Sequence, residues 1–377
     1  MSATESIDTL ILGAGPAGLA VAGCLRKAGA PFVLLEQKEA VGSSWRGHYR
    51  RLHLHTVKAF SALPGLPFPK EYPTYPSRQQ VVDYLEAYAH KFGLAPRTGE
   101  VVTAVRKADG GAGYEVESSG RTLRARRVVV ATGYNRVPER PSWPGETDYR
   151  GKLLHTRDYL DGEPFRGQRV LVIGMGNTGG EIGLDLLEHG AAPTFSLRSP
   201  VIVLPRDFLG GPTQVTSILT AWLPRAVGDL LGRLVSWLAF GDLARWGFGK
   251  PAFGALTSIQ VHQRIPLLDV GMVAQVKAGK MVLRGGVERF TPRGVVFAGG
   301  REEAFDAVVL ASGYRPGLTG LLQVPGLLDE RGYPRALHDP VRAPGLYFIG
   351  YANVATGLLR EIGLHAKTIA GELTARP

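Results

Sequence analysis

The chain has 377 residues, 44% hydrophobic and 20% charged, which is enough apolar material for more than one core and rules out a disordered or low-complexity chain. Its net charge is +11, but the arginines are spread along the chain without interleaved aromatics, so anionic small molecules rather than nucleic acid are the expected partners. One cysteine, Cys24, excludes an intrachain disulfide, a CxxC redox pair and a cysteine-based zinc site.

Met1 to Asp8 is polar and acidic and runs into a strand, so no signal peptide is expected. Thr9–Leu12 is a short continuous apolar run, as in a buried parallel strand. Gly13-Ala14-Gly15-Pro16-Ala17-Gly18 follows, then a helical stretch from Leu19 to Ala28 in which Cys24 reads as a packed thiol. A second strand, Phe32–Leu35, ends on Glu36. This is a full βαβ dinucleotide fingerprint. Gly13 permits the tight turn, Gly15 lets backbone approach a pyrophosphate, and Gly18 allows close helix–strand packing. The helix N-terminus offers free N–H groups to phosphate, and Glu36 can accept from a ribose hydroxyl. Gly42-Ser43-Ser44-Trp45 continues past the acid and can wrap the far side of a cofactor, which favours FAD here. Gln37, Ser44, Trp45, Arg46, Leu52, His53 and Val102 are further candidates along its path.

Val128–Val130, followed by Ala131-Thr132-Gly133, reads as a buried strand ending in small residues. Arg169–Ile173 is another buried strand, followed by Gly174-Met175-Gly176-Asn177-Thr178-Gly179 and a helix carrying Glu181. The next strand, Thr194–Leu197, ends at Arg198-Ser199. An acid there would repel a 2′-phosphate, whereas arginine pairs with it, so this second site favours NADPH over NADH. Arg206 is a further candidate for that phosphate. The region 215–243 is the longest apolar one, but Pro224, Arg225, Asp229 and Arg233 interrupt it, so no transmembrane segment is expected and the cytoplasm is the simplest compartment. The segment 208–256, rich in Leu, Trp and Phe, reads as a helical insert that forms a lid or simply packs. Val308–Leu310, followed by Ala311-Ser312-Gly313, repeats the 128–133 pattern, and the two runs can be the paired crossover strands joining two domains. Leu346–Gly350 is a further strand. Thr356, Gly357 and Leu358 open a last helix, whose N-terminus can face the flavin ring.

The expected fold is therefore α/β, with two Rossmann-like dinucleotide-binding domains, the NADPH domain inserted into the FAD domain. The expected spans are 1–154 and 306–377 for FAD and 155–305 for NADPH, the latter carrying the 208–256 insert.

Between the two fingerprints, Tyr149 to Tyr159 resembles the FxGxxxHxxx(F/Y) signature of the flavin-containing monooxygenases, with Tyr149 in place of Phe. Arg51–His55, Tyr72–Gln80, Leu204–Asp207, Gly241–Gly247 and Pro266–Gly271 are similar to the YUCCA-type branch, whose plant members convert indole-3-pyruvate to indole-3-acetate. The resemblance covers nearly the whole chain. It implies chemistry with NADPH, O2 and FAD through a C4a-peroxyflavin, with an organic small molecule as substrate. Many members place an asparagine near the flavin. The corresponding stretch, Leu54-His55-Thr56-Val57-Lys58, has none, so His55 and Leu54 are candidates for the reaction face, with a packed loop histidine as the alternative. No catalytic triad or metal cluster is expected. Oxidative decarboxylation of an aromatic α-keto acid is the leading function, and it adds a substrate carboxylate as the alternative partner of Arg206. N- or S-oxygenation, Baeyer–Villiger insertion and a non-catalytic redox sensor stay open.

Overall fold

The computed structural model describes residues 5–110 and 112–375; Met1–Thr4, Gly111 and Arg376–Pro377 lie outside them, and with them the first half of the stretch read as lacking a signal peptide. The first sheet begins with β1 (Ser6–Leu12), helix α1 (Pro16–Lys27) and β2 (Val33–Leu35). Helix α2 (Arg78–Lys91) follows, started by a capping box in which Ser77 and Gln80 satisfy each other's backbone N–H groups. Next come β3 (Val102–Lys107), β4 (Tyr114–Ser118) and β5 (Arg121–Val130). β1 lies between β2 and β5, all parallel. The first half of β5 carries β4 and β3 as an antiparallel meander.

The second sheet is parallel throughout. It takes β6 (Lys152–His155), β7 (Arg169–Ile173), helix α3 (Asn177–Glu188), β8 (Ala192–Ser196), β9 (Val282–Arg284) and β10 (Ala307–Leu310), in the spatial order β9-β8-β7-β10-β6. Between β8 and β9 stand α4 (Thr213–Leu219), α5 (Arg225–Phe240) and α6 (Ala255–Gln260), followed by a short helix over Met272–Lys277. The chain then returns to the first sheet. β11 (Leu346–Phe348) pairs with the second half of β5, and helix α7 (Leu358–Thr374) packs on α1. The strands 128–130 and 308–310 are fully buried because both faces of each sheet are covered, one by helices and the other by residues 318–327 on the first sheet and by Phe290, Val295 and Phe297 on the second. Cys24 sits half-buried against the first core, and burial pushes its thiol pKa up.

The structure departs from the sequence reading in two places. The runs 128–130 and 308–310 do not pair with each other. Each lies beside the fingerprint strand of its own sheet, Val130 next to Leu12 and Leu310 next to Ile173. The crossover pairing is one step further on, where Val137–Pro138 meets Tyr314–Arg315. In addition, β6 begins before residue 155 and β10 lies beyond 305, yet both belong to the second sheet. Apolar composition marks a strand as buried but does not say which of two parallel sheets takes it.

The signature stretch serves this crossover. A side chain at Gly151 would overlap the Tyr149 hydroxyl and lie 2.7 Å from the Asp306 carbonyl oxygen. Tyr149 donates to the Phe305 carbonyl at 2.9 Å, a bond phenylalanine could not make. His155, at the end of β6, accepts from the Arg157 N–H at Nδ1 (3.0 Å), so its Nε2 carries the proton and donates to the Gly313 carbonyl at 3.2 Å. Burial lowers its pKa and keeps the ring neutral.

His48 stands edge-on to Trp45 and Tyr49. Burial, then the charges of Arg78 and Arg157, lower its pKa from the ordinary 6.5 to about 4. The unfolded chain takes up this proton first, so the stability is complete above the unfolded value and is lost as pH falls from there toward 4. The difference corresponds to about 3 kcal/mol. Denaturant midpoints measured across this range should fall less steeply for His48→Phe than for the parent chain, and parallel curves would remove His48 from the account.

Candidate cofactor and active site

The two glycine turns have the same geometry. Gly13 and Gly174 both have φ +106°, and a Cβ on either would press on a carbonyl oxygen of the neighbouring strand, Ala131 at 2.8 Å or Ala311 at 2.5 Å. A Cβ at Gly18 would overlap the Gly13 carbonyl, and one at Gly179 the Gly174 carbonyl. Gly15 and Gly176 differ, because no atom lies within 4 Å of a Cβ there. They are the N-caps of α1 and α3, and no side chain caps either helix. Each helix therefore presents free N–H groups to an open cradle of the shape and polarity a pyrophosphate needs. Pro16 starts α1, where its missing N–H costs nothing, and Ala17 is buried in the core.

Around the first turn, Glu36 is buried, accepting from the Ala14 N–H at 2.9 Å and the Lys38 N–H at 3.0 Å. These bonds fix the carboxylate and leave acceptor positions for ribose hydroxyls. Gly42 N–H donates to the Ala14 carbonyl (2.9 Å), bringing the 42–46 segment to the turn. There Trp45 is half-buried, Ser44 and Gln37 are exposed, and Arg46 pairs with Glu86. Arg78 donates to the Arg46 and His48 carbonyls, and its Nε–H is buried without a partner, a donor free for a ligand that sequence did not single out. On the far strand, the Thr132 hydroxyl meets that of Tyr351 at 2.8 Å, and Gly133 faces open space. Three further candidates have other surroundings. Val102 packs in the core with Leu10, Leu52 packs against the second core, and His53 is exposed with Nδ1 on the Arg51 carbonyl.

Above the second turn opens a cleft of about 1480 Å³ lined by Gly174, Gly176, Arg198, Ser199, Ser312 and, unforeseen, Lys250 and Arg264. Arg198 and Ser199 stand at its edge. Asn177 is occupied otherwise, accepting from the Leu268 N–H (2.7 Å) and donating to the Pro266 carbonyl (3.3 Å). Thr178 stands beside the buried Tyr49 hydroxyl, Ser312 donates to the Glu139 carbonyl, and the Gly313 carbonyl takes the His155 bond. Arg206 does not line this cleft. Its guanidinium lies 4.0 Å over the Tyr75 ring and donates from Nε to Asp207 (3.1 Å), which also accepts from the Tyr75 hydroxyl.

The two halves meet around residues 51–57. His55 Nε2 is 3.1 Å from Glu181 Oε1 of α3, but out of line for a hydrogen bond, so both ring nitrogens are buried without a partner. Arg51 holds the same Glu181 (2.9 Å) and, further along α3, Glu188 (2.9 Å). Leu54 is buried, its N–H on the Pro76 carbonyl (2.8 Å). From the insert, buried Gln214 of α4 accepts from the Val57 N–H and donates to the Thr356 carbonyl, both at 2.7 Å. Gly357 has φ +103°, and a Cβ there would lie 2.6 Å from Gln214 Nε2 and 2.9 Å from Thr56. Leu358 opens α7 against the first core. Thus α4 does close over this point, whereas α5 turns its large apolar residues to solvent and is not part of a lid.

Comparison with known proteins decides the family. The indole-3-pyruvate monooxygenase YUCCA1 of Oryza sativa subsp. japonica is 43% identical over 353 residues, covering 91% of this chain and 86% of the relative. The chain belongs to the YUCCA-type flavin monooxygenases. The probable indole-3-pyruvate monooxygenase YUCCA1 of Arabidopsis thaliana is 37% identical, covering 97% and 89%. The broader family described as pyridine nucleotide-disulphide oxidoreductase matches residues 10–203, although a chain with one cysteine has no cysteine pair for dithiol chemistry. A solved mutant form of a flavin monooxygenase from Stenotrophomonas maltophilia superposes with TM-score 0.74 at 25% identity, covering 98% and 99% of the two chains. A structure titled OTEMO complex with FAD and NADP superposes with TM-score 0.72 at 17% identity over 98% of this chain and 86% of that one, a likeness of fold.

Four of the five YUCCA-like stretches come together. The Arg78 N–H reaches the Leu52 carbonyl, Tyr75 reaches Asp207, the Arg206 N–H reaches the Asp269 carbonyl, and Asn177 binds the 266–268 backbone. The fifth, 241–247, forms the turn after α5.

Gly176 and Gly179 separate ligand from fold. Gly176→Val should keep the parent's circular dichroism and raise the NADPH KM by about tenfold or more, whereas Gly179→Val should not fold. An unchanged KM in Gly176→Val would contradict the cradle assignment.

Proposed function

We propose that this monooxygenase uses FAD and NADPH to decarboxylate an aromatic α-keto acid of the indole-3-pyruvate type. The reading rests on the meeting of the stretches 51–58, 72–80 and 204–214 around half-buried His55, with the Arg206 cation held on the face of Tyr75 beside them. The overall change is α-keto acid + O2 + NADPH + H⁺ to the acid one carbon shorter + CO2 + NADP⁺ + H2O.

In this reading the open cradles at Gly15 and Gly176 hold the two pyrophosphates, and Glu36 holds the FAD ribose. The forked guanidinium of Arg198 takes the 2′-phosphate. When bound, FAD supplies the activation of O2 and NADPH the hydride. Arg206 commits Nε to Asp207, which leaves its terminal N–H edge for the substrate carboxylate. Because Arg206 stands outside the large cleft, the phosphate role falls to Arg198. His55 offers an unpaired ring nitrogen at the reaction face, and the Glu181–Arg51 ion pair stands beside the ring. Gln214, Thr56 and Gly357 close the backbone around it and exclude water, which protects an oxygen-activating site from unproductive turnover. Among the described residues no helix is long and apolar enough to cross a membrane, and we place the enzyme in the cytoplasm.

NADPH oxidation with product identification tests this. Aromatic pyruvates should release CO2 and the shortened acid in step with NADPH consumption. Arg206→Ala should raise the keto-acid KM by about tenfold or more, the worth of a lost charge-assisted pair, with the NADPH KM unchanged. Oxygenation of amines or thioethers without keto-acid turnover would replace the reading with the broader flavin-monooxygenase chemistry. Cofactor binding without substrate-dependent O2 uptake would leave a redox sensor.

A further inference from the structure

Helix α5 is built inside out. Its packed face carries Gly228, Asp229, Gly232, Val235, Ser236 and Phe240, with close approach at the glycines: a side chain at Gly228 would overlap Leu256, and one at Gly232 would lie 3.5 Å from Ala255. Helical spacing sets Val227, Leu230, Leu231, Leu234, Trp237 and Leu238 in a single stripe on the opposite side. Each of the six is 40–67% exposed, and no residue of α5 is buried. The segment entering the helix adds Leu219 and Trp222, at 68% and 80% exposure. Water is the wrong neighbour for such a stripe, since scattered apolar residues are ordinary on a surface but a continuous row with tryptophans marks a contact.

The charges around the stripe select the occupant. Arg233 borders it and Arg225 starts the helix, and among the described residues neither makes an ion pair. The one carboxylate on α5, Asp229, turns inward, with its oxygens accepting from the Thr257 N–H (3.0 Å) and hydroxyl (2.5 Å). Arg245, in the following turn, is largely exposed and pairs with Asp242 at 3.4 Å. A two-fold pairing of α5 with a second copy would set Arg233, near the middle of the helix, against its own counterpart with no acid between them. An anionic bilayer surface meets both features. Leucine and tryptophan enter the headgroup–acyl boundary while arginines lie on lipid phosphates, and the net charge of +11 adds attraction from a distance. We propose that α5, together with the 219–222 segment, docks this enzyme peripherally on an anionic lipid surface. The docking helix directly follows α4, whose Gln214 closes the active site, so docking would set the covered side of that site toward the membrane. The inference does not depend on the substrate.

The test is co-sedimentation of the FAD-loaded protein with vesicles of phosphatidylcholine alone or mixed with phosphatidylglycerol, alongside light scattering without lipid. The parent protein should pellet with the anionic vesicles, release as salt rises, and shift its tryptophan emission to the blue. The triple variant Leu230→Ser, Leu234→Ser, Trp237→Ser should lose on the order of tenfold or more in partitioning with its FAD content unchanged. If that variant sheds FAD, the charge reversal Arg225→Glu, Arg233→Glu decides, and it too should abolish pelleting. A parent protein that stays monomeric and fails to bind anionic vesicles overturns the proposal. So does a parent dimer that the triple variant splits, because a second copy would then be what covers the stripe.

Discussion

In both halves of the protein a helix is pressed onto the turn that precedes it. At Gly18 a side chain would overlap the Gly13 carbonyl, and at Gly179 the Gly174 carbonyl. This approach lets each helix start directly over the end of its central strand. There its first N–H groups lack acceptors from the chain and face the open space above Gly15 or Gly176. The adjacent strands obey the same limit, with the Ala131 and Ala311 carbonyls standing where a Cβ of Gly13 or Gly174 would go. Strand, turn, helix and neighbouring strand thus form one steric unit used twice, and both cofactor cradles follow from it.

The second dependence is between the halves. Arg51, from the loop after the first nucleotide turn, pairs with Glu181 on the helix of the second, with His55 beside them. His155 spans from β6 to Gly313 at the crossover, and Gln214 ties the insert to Val57 and Thr356. None of these bonds touches a pyrophosphate cradle. They set how the two cradles face each other, and so whether a reduced nicotinamide and a flavin could meet.

Much of this is visible in the residue order, because it depends on local rules. Glycine spacing, the acid at 36, the arginine at 198 and the continuous apolar runs each carry their meaning within a few residues. What escaped depends on pairing across the chain. The runs 128–133 and 308–313 look alike because both are buried parallel strands ending beside a glycine turn, and nothing in their composition says they occupy different sheets. Gln214 and Glu181 are ordinary polar residues on helices until folding brings Val57, Thr356 and Arg51 to them. Lys250 and Arg264 join the second cleft only through the path of the insert. Likewise α5 has the apolar period of a packed helix, and only Gly228 and Gly232 hint that its bulky face is the free one.

The central claim is that one chain holds FAD and NADPH in separate cradles at once. Equilibrium dialysis of the purified protein against both cofactors measures this directly. The account predicts one FAD and one NADPH per chain, with neither reducing occupancy by the other. Competition of the two for a single site would contradict it.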